Sequence, residues 1–212
     1  YLHVGDWDIK CTAYRNGGHG SLSLTESIMK SCNVAMMRIG AMMGSGIFAK
    51  YQAMFGMGQK TGIDLPGEAD AAGLVYPADK MGPTELATNA FGQNYNCTMI
   101  QMAAALCSVI NGGSYYEPHV VKQILNDQGS VVKKIEPNLV RETVSQSTSD
   151  FIRHALFMTV DDEEGTGKAG RVAGYKVGGK TGTAEKLPRS AHNYLVSFCG
   201  FAPADDPQLL LY

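Results

Sequence analysis

Two short stretches carry residue types suited to acyl transfer. Ser31-Cys32-Asn33 offers a hydroxyl and a carboxamide two residues apart, and Lys180-Thr181-Gly182-Thr183 offers an ammonium and two hydroxyls around a glycine. A hydroxyl relays a proton, an amide orients a substrate carbonyl, and an ammonium holds a carboxylate or tunes its neighbours. On a strand, Thr181 and Thr183 project from the same face. The missing Cβ at Gly182 lets a substrate backbone approach the strand edge, where an extended peptide can add as an extra strand. Most of the chain separates the two stretches, so only the fold can make one site of them.

The elements that must do this are legible in outline. Residues 1–20 read as strand and loop, closing in the turn cluster Asn16-Gly17-Gly18-His19-Gly20. Ser23 and Glu26 form a capping box that starts a helix near Leu24. Leu24, Ile28, Ala35, Met36, Ile39 and Met43 keep helical spacing, interrupted at Ser31-Cys32-Asn33, so one long helix and two joined helices both fit. Gly44-Ser45-Gly46 stops the second group, and Ile47 to Phe55 gives a further short helix. Residues 56–83 form a long irregular excursion rich in glycine and proline. Thr98 to Ile110 is a helix closed by Asn111-Gly112-Gly113. Tyr115–Leu125 and Val131–Ile135 pair around Asn126-Asp127-Gln128-Gly129 as a hairpin. Ser149–Val160 is an amphipathic helix, and Tyr175–Ala184, Tyr194–Phe201 and Gln208–Tyr212 are strands. Helices in the middle with antiparallel strands gathered late predict an α+β fold.

With their surroundings, the two stretches resemble the S-x-N and K-T-G motifs of penicillin-binding serine acyltransferases, closest to class B penicillin-binding proteins of the division and sporulation type. Leu24-Thr25 followed by Lys30-Ser31-Cys32-Asn33-Val34 is similar to the helix of the second motif. Phe91-Gly92-Gln93 with Thr98 and Gln101 is similar to the entry of the central helix. Gly178-Gly179-Lys180-Thr181-Gly182-Thr183-Ala184 and Gly200-Phe201-Ala202-Pro203-Ala204-Asp205-Asp206-Pro207 are similar to the third and fourth strands. Asn94 and Met99 stand where the family often has Gly and Pro. The resemblance implies a β-lactamase/transpeptidase-like antiparallel sheet packed between helices, incomplete at both ends. It further implies a D,D-transpeptidase parent that cross-links peptidoglycan stem peptides through a serine acyl-enzyme and binds β-lactams. The parent would be anchored at the extracytoplasmic face of the cell membrane, beside membrane-bound cell-wall synthesis partners. By the same resemblance Ser31 relays a proton, Asn33 binds a substrate amide and Lys180 completes the proton network. Thr181 and Thr183 hold the substrate carboxylate beside Gly182, and the Thr183 amide supplies half of the oxyanion hole. No cofactor is implied. A β-lactam sensor and a β-lactamase-like domain share the same motifs.

The family's nucleophile belongs to an S-x-x-K tetrad well upstream of S-x-N. Two such strings occur here, Ser27 to Lys30 and Ser130 to Lys133. The first runs straight into Ser31, and the second lies in a hairpin turn after the second motif. Both read as chance matches, and residues 1–212 as a partial domain without the nucleophile segment. Both ends of the sequence likewise read as cuts in a longer chain.

Composition narrows the classes. The chain has 212 residues, 44% hydrophobic, with net charge −2, enough to build a core and without the basic excess of a nucleic-acid binder. No apolar run spans a bilayer. Gly174 to Thr181 satisfies the P-loop pattern, which requires a helix after the threonine. Asp161-Asp162-Glu163-Glu164 could hold calcium or be a solvated loop. Cys11, Cys32, Cys97, Cys107 and Cys199 show no Cys-x-x-Cys spacing, and four of the five lie among apolar or small residues, where a free thiol packs as a small hydrophobe. His3, His19, His119, His154 and His192 show no ligand spacing, so no metal site is expected. Met36, Met37, Met42 and Met43 are expected in the core.

Overall fold

The computed structural model describes residues 1–212, the side chain of Arg189 apart. The chain opens with a small hairpin, β1 (Leu2–Val4) and β2 (Trp7–Ile9), followed by a 3-10 turn over Thr12–Asn16. Helix α1 (Leu24–Met29) starts at the expected capping box. Glu26 N–H donates to Ser23 Oγ at 3.2 Å, and Ser23 N–H donates to the Glu26 carboxylate at 2.7 Å. The helix stops where the polar interruption was read: Ser31 takes a φ of 50°, a left-handed conformation that costs a non-glycine residue roughly 1–2 kcal/mol. The chain therefore uses two helices, and α2 (Asn33–Met54) begins directly after Cys32 and breaks again at Gly44, whose φ of 76° and ψ of 161° are non-helical.

The irregular excursion after α2 runs to Pro83 as read, and a helix that the sequence reading did not name follows at once. Pro83–Ala90 forms helix α3, with Pro83 in its first turn and Glu85 beside the helix N-terminus, the usual starting chemistry. Helix α4 (Met99–Ile110) carries a second capping box, Thr98 with Gln101.

The hairpin needs correcting. Tyr115–Leu125 is not one arm. It holds β3 (Ser114–Tyr116) and β4 (Gln123–Leu125), of which only β4 pairs with β5 (Val131–Lys134), while β3 pairs with a strand the sequence pattern missed, β6 (Leu139–Glu142). Pro118 lacks a ladder donor, and the Asp64 carboxylate accepts from Val120 N–H and Val121 N–H at 2.8 and 2.9 Å, holding that stretch as a loop.

Helix α5 (Gln146–Asp161) leads into a sheet ordered β7 (Gly178–Glu185), β8 (Tyr194–Ala202) and β9 (Leu209–Leu211), all antiparallel. The architecture is α+β, as expected. Its core joins Ile110 of α4, Leu156 of α5, Phe201 of β8 and Ala204, with Ile28 of α1 and Leu210 of β9 packed against them. Of the four methionines placed in the core, Met37 is buried but Met42 is 88% exposed on α2. Among the described residues no helix is long and apolar enough to cross a membrane.

Helix α5 packs on β7, and α1 packs on α5. The sheet and the α1–α2 break are thereby held in one block. Glycines allow the close approach within the sheet: a Cβ at Gly178 would lie 2.4 Å from the Phe201 ring. Gly178→Ala is expected to lower stability by about 1–3 kcal/mol through overpacking. Gly46→Ala, where a Cβ meets nothing within 4 Å, should be neutral or stabilising by up to about 1 kcal/mol. Urea midpoints at constant slope check the pair, and equal effects would contradict this packing.

Candidate active site

The two motifs meet. Lys180, third residue of β7, donates from Nζ to Ser31 Oγ at 2.9 Å and to the Thr181 carbonyl at 2.9 Å. Burial pushes the Lys180 ammonium below the ordinary lysine range, because a partly dehydrated charge favours its neutral form. A lysine so tuned, touching a hydroxyl, can take or return that hydroxyl's proton.

Thr166 couples the two sides of the contact. Its N–H and Oγ1 both donate to the Met29 carbonyl, at 3.3 and 3.1 Å, satisfying an end group of α1. The Thr181 hydroxyl donates to Thr166 Oγ1 at 3.2 Å. The preceding acidic loop is pinned by cations. Lys30 pairs with Glu164 at 2.6 Å, which raises the Lys30 pKa, and Arg171 pairs with Glu163 at 2.8 Å while donating to the Val160 carbonyl at 3.0 Å. Glu163 and Glu164 are thus engaged with side chains, in place of the calcium-site alternative.

Asn33 opens α2, half-buried, and its amide donates to the Lys10 carbonyl at 3.5 Å, a long contact. Strand β7 lies at the sheet edge. Gln93 Nε2 donates to the Thr183 carbonyl at 3.1 Å from outside the sheet. The N–H and C=O of one strand residue leave on the same side in an antiparallel ladder. The Thr183 amide therefore faces the open edge, and Gly182, paired with Ser197, faces inward. Thr183 is exposed and Thr181 half-buried.

Neither S-x-x-K string makes a site. Ser27 is 4% exposed and its hydroxyl donates to the Ser23 carbonyl at 2.8 Å, while its partner Lys30 is held by Glu164. Ser130 closes the β4–β5 turn, its N–H donating to Asn126 Oδ1 at 2.9 Å. The P-loop alternative falls away: Gly178 to Thr181 is strand and continues as strand to Glu185, so no helix N-terminus follows.

Sequence reasoning missed Thr166 and the role of Gln93. The only signal at Thr166 was its place between Gly165 and Gly167 in a short polar loop. It also missed a group of three metal-ligating side chains. Donor atoms of Cys11, His19 and Cys32 all lie within 4.8 Å of one another. No local spacing announces them, because a 3-10 turn and the α1 capping segment intervene.

Comparison with known proteins identifies the family. The profile of the penicillin binding protein transpeptidase domain matches residues 2–212, and the chain belongs to that family. It is 43% identical over 203 residues to stage V sporulation protein D of Bacillus subtilis, covering 94% of this chain and 31% of that protein. It is 31% identical over 206 residues to penicillin-binding protein PbpB of Mycolicibacterium smegmatis, covering 91% of this chain and 31% of that protein. Among solved structures, the D,D-transpeptidase domain of a peptidoglycan glycosyltransferase from Eggerthella lenta superposes with a TM-score of 0.86 at 26% identity, covering 99% of this chain and 51% of that one. Penicillin binding protein 3 from Mycobacterium tuberculosis, complexed with aztreonam, superposes with a TM-score of 0.79 at 29% identity, covering 89% of this chain and 44% of that one. The chain spans about a third of the length of these curated relatives.

The burial of Lys180 has a measurable sign. Its proton is held less tightly in the folded chain than in the unfolded one. The group therefore costs stability at neutral pH, and that cost disappears as pH rises from the folded towards the unfolded pKa. Carbon-13 NMR of the lysine side chains should show Lys180 titrating below Lys176, whose ammonium Asp205 raises. Lys180 titrating at or above Lys176 would contradict the buried contact.

Proposed function

We propose that residues 1–212 are the S-x-N-to-K-T-G part of a penicillin-binding transpeptidase domain whose parent is a peptidoglycan D,D-transpeptidase. The parent's nucleophilic serine belongs to an S-x-x-K segment other than the two strings in this chain. The observation that carries the reading is the 2.9 Å contact between Lys180 Nζ and Ser31 Oγ, which unites the two motifs.

In this reading the parent's serine Oγ attacks the carbonyl of a stem peptide's terminal D-Ala-D-Ala bond, its proton passing into the Ser31–Lys180 network. The C–N bond breaks, and the departing D-Ala amine takes a proton delivered through the Ser31 hydroxyl, which Lys180 resupplies. An amine of a second strand then attacks the acyl ester and restores the serine. Asn33 binds an amide of the stem peptide. Thr181 and Thr183 hold its terminal carboxylate, Gly182 admits its backbone to the edge of β7, and the Thr183 N–H supports the oxyanion. The outward Thr183 amide and the exposed Thr183 side chain support that assignment. β-Lactams would acylate the same serine as mimics of the D-Ala-D-Ala unit. Relatives named for D,D-transpeptidase activity, and a neighbour complexed with aztreonam, support this substrate class. The parent would work outside the cytoplasm, anchored in the membrane beside other cell-wall synthesis proteins.

Two outcomes are expected. Incubated with fluorescent penicillin, the 212-residue chain alone takes no stoichiometric penicilloyl adduct. Intact mass showing one on Ser27 or Ser130 would overturn the partial-domain reading. In the full-length parent, Lys180→Ala should slow acylation by roughly 10²–10⁴-fold with little change in the melt. An unchanged acylation rate would remove Lys180 from the site, and rapid loss of label from the unsubstituted parent would indicate a β-lactamase.

A further inference from the structure

We propose that Gln93 is a clip on the edge of β7: its carboxamide holds the Thr183 carbonyl in the empty site, and an incoming peptide must displace it with an amide N–H of its own. Gln93 Nε2 donates to that carbonyl at 3.1 Å. The inference rests on the reading above that β7 receives an extended peptide along its open edge.

The hydrogen-bond pattern of a ladder says what the clip competes with. In an antiparallel pair, two facing residues of the hydrogen-bonded kind exchange both N–H···O=C bonds. Thr183 presents its N–H and its carbonyl on the open side. A peptide residue that sets its carbonyl on the Thr183 N–H therefore sets its own N–H on the Thr183 carbonyl. In the proposed reaction that residue carries the carbonyl under attack. A carboxamide N–H and a peptide N–H are alike as donors, so Gln93 stands where the amide of the ligand belongs. The next outward carbonyl on the strand is also taken from within the chain, because Lys180 Nζ donates to the Thr181 carbonyl at 2.9 Å. An edge with both carbonyls engaged resists pairing with arbitrary strands. A contact that only guarded the edge, however, would weigh equally on every ligand, whereas a clip selects for ligands that bring an N–H.

The loop around Gln93 is built so that only its side chain has to move. The Gln93 N–H donates to the Thr88 carbonyl at 2.9 Å and the Gly92 N–H to the Asn89 carbonyl at 3.0 Å, closing α3. On the other side the Asn96 N–H donates to the Leu74 carbonyl at 3.0 Å. Between these anchors Gly92 at φ of 88° and Asn94 at φ of 67° take left-handed conformations, a region that Asn tolerates better than most residues with a side chain. The backbone is thus committed on both sides of a half-buried side chain. Displacing the clip then exchanges one hydrogen bond for another and leaves the loop in place.

The test compares the full-length parent with Gln93→Ala and with Gln93→Leu, which keeps the bulk and removes the donor. The probes are the N-benzoyl-D-alanyl thioester of thioglycolate and its N-methyl analogue, whose amide has no N–H. Both variants, folded by circular dichroism, should widen the preference in kcat/KM for the N–H thioester by roughly 3–10-fold, the size of one neutral hydrogen bond. The gain should come from a lower KM, with kcat held within about twofold. A preference equal to that of the unsubstituted parent, or narrower, would overturn the clip, and so would one that widens with Gln93→Ala but not with Gln93→Leu. An unsubstituted parent that turns over neither thioester, or both alike, would remove the edge-addition reading and the clip with it.

Discussion

A lysine ammonium and a serine hydroxyl, 2.9 Å apart and 149 residues apart in sequence, impose most of what the rest of the chain must do. Such a contact is useful to acyl transfer only if its geometry is held without cost at the moment of reaction. Here the holding is done by dry packing and backbone hydrogen bonds. Helix α5 lies between α1 and β7, Phe201 and Leu156 share one core, and Thr166 ties the end of α1 to the Thr181 hydroxyl. The same packing removes water from Lys180 and lowers its pKa. Positioning and tuning thus have one cause.

The break between α1 and α2 illustrates how local chemistry serves that contact. A continuous helix through residues 24–43 would satisfy the apolar spacing. Instead Ser31 adopts a left-handed φ, at a backbone cost that the tertiary contacts with Lys180 and Thr166 offset. Strained backbone at a polar interruption, beside a half-dry lysine, is the kind of arrangement that chemistry requires and stability alone does not.

Much of this was legible in the sequence, and what was not has a physical explanation. Capping at Ser23, the interruption at 31–33, the β7–β8–β9 strands and α5 all rest on local signals, namely side-chain capping, periodicity and turn residues. Strand β6 was missed because its partner β3 lies 28 residues away at Ser114 and Glu142, with a complete hairpin between. Helix α3, directly after the irregular excursion, was not read although Pro83 and Glu85 announce it. At the site, the motifs named Ser31, Asn33, Lys180, Thr181, Gly182 and Thr183. Thr166, Gln93 and the Cys11–His19–Cys32 group acquire meaning only from tertiary neighbours.

Whether Ser31 and Lys180 act as one unit is the central claim, and a double-substitution cycle on acylation by penicillin tests it most directly. Ser31→Ala, Lys180→Ala and the doubly substituted full-length parent would be compared with the unsubstituted protein by acylation rate constant. A shared proton network predicts strong non-additivity, with a coupling energy of about 1–3 kcal/mol and a double variant close to the slower single one. Effects that simply multiply would mean two independent residues, and the 2.9 Å contact would then have no part in the chemistry.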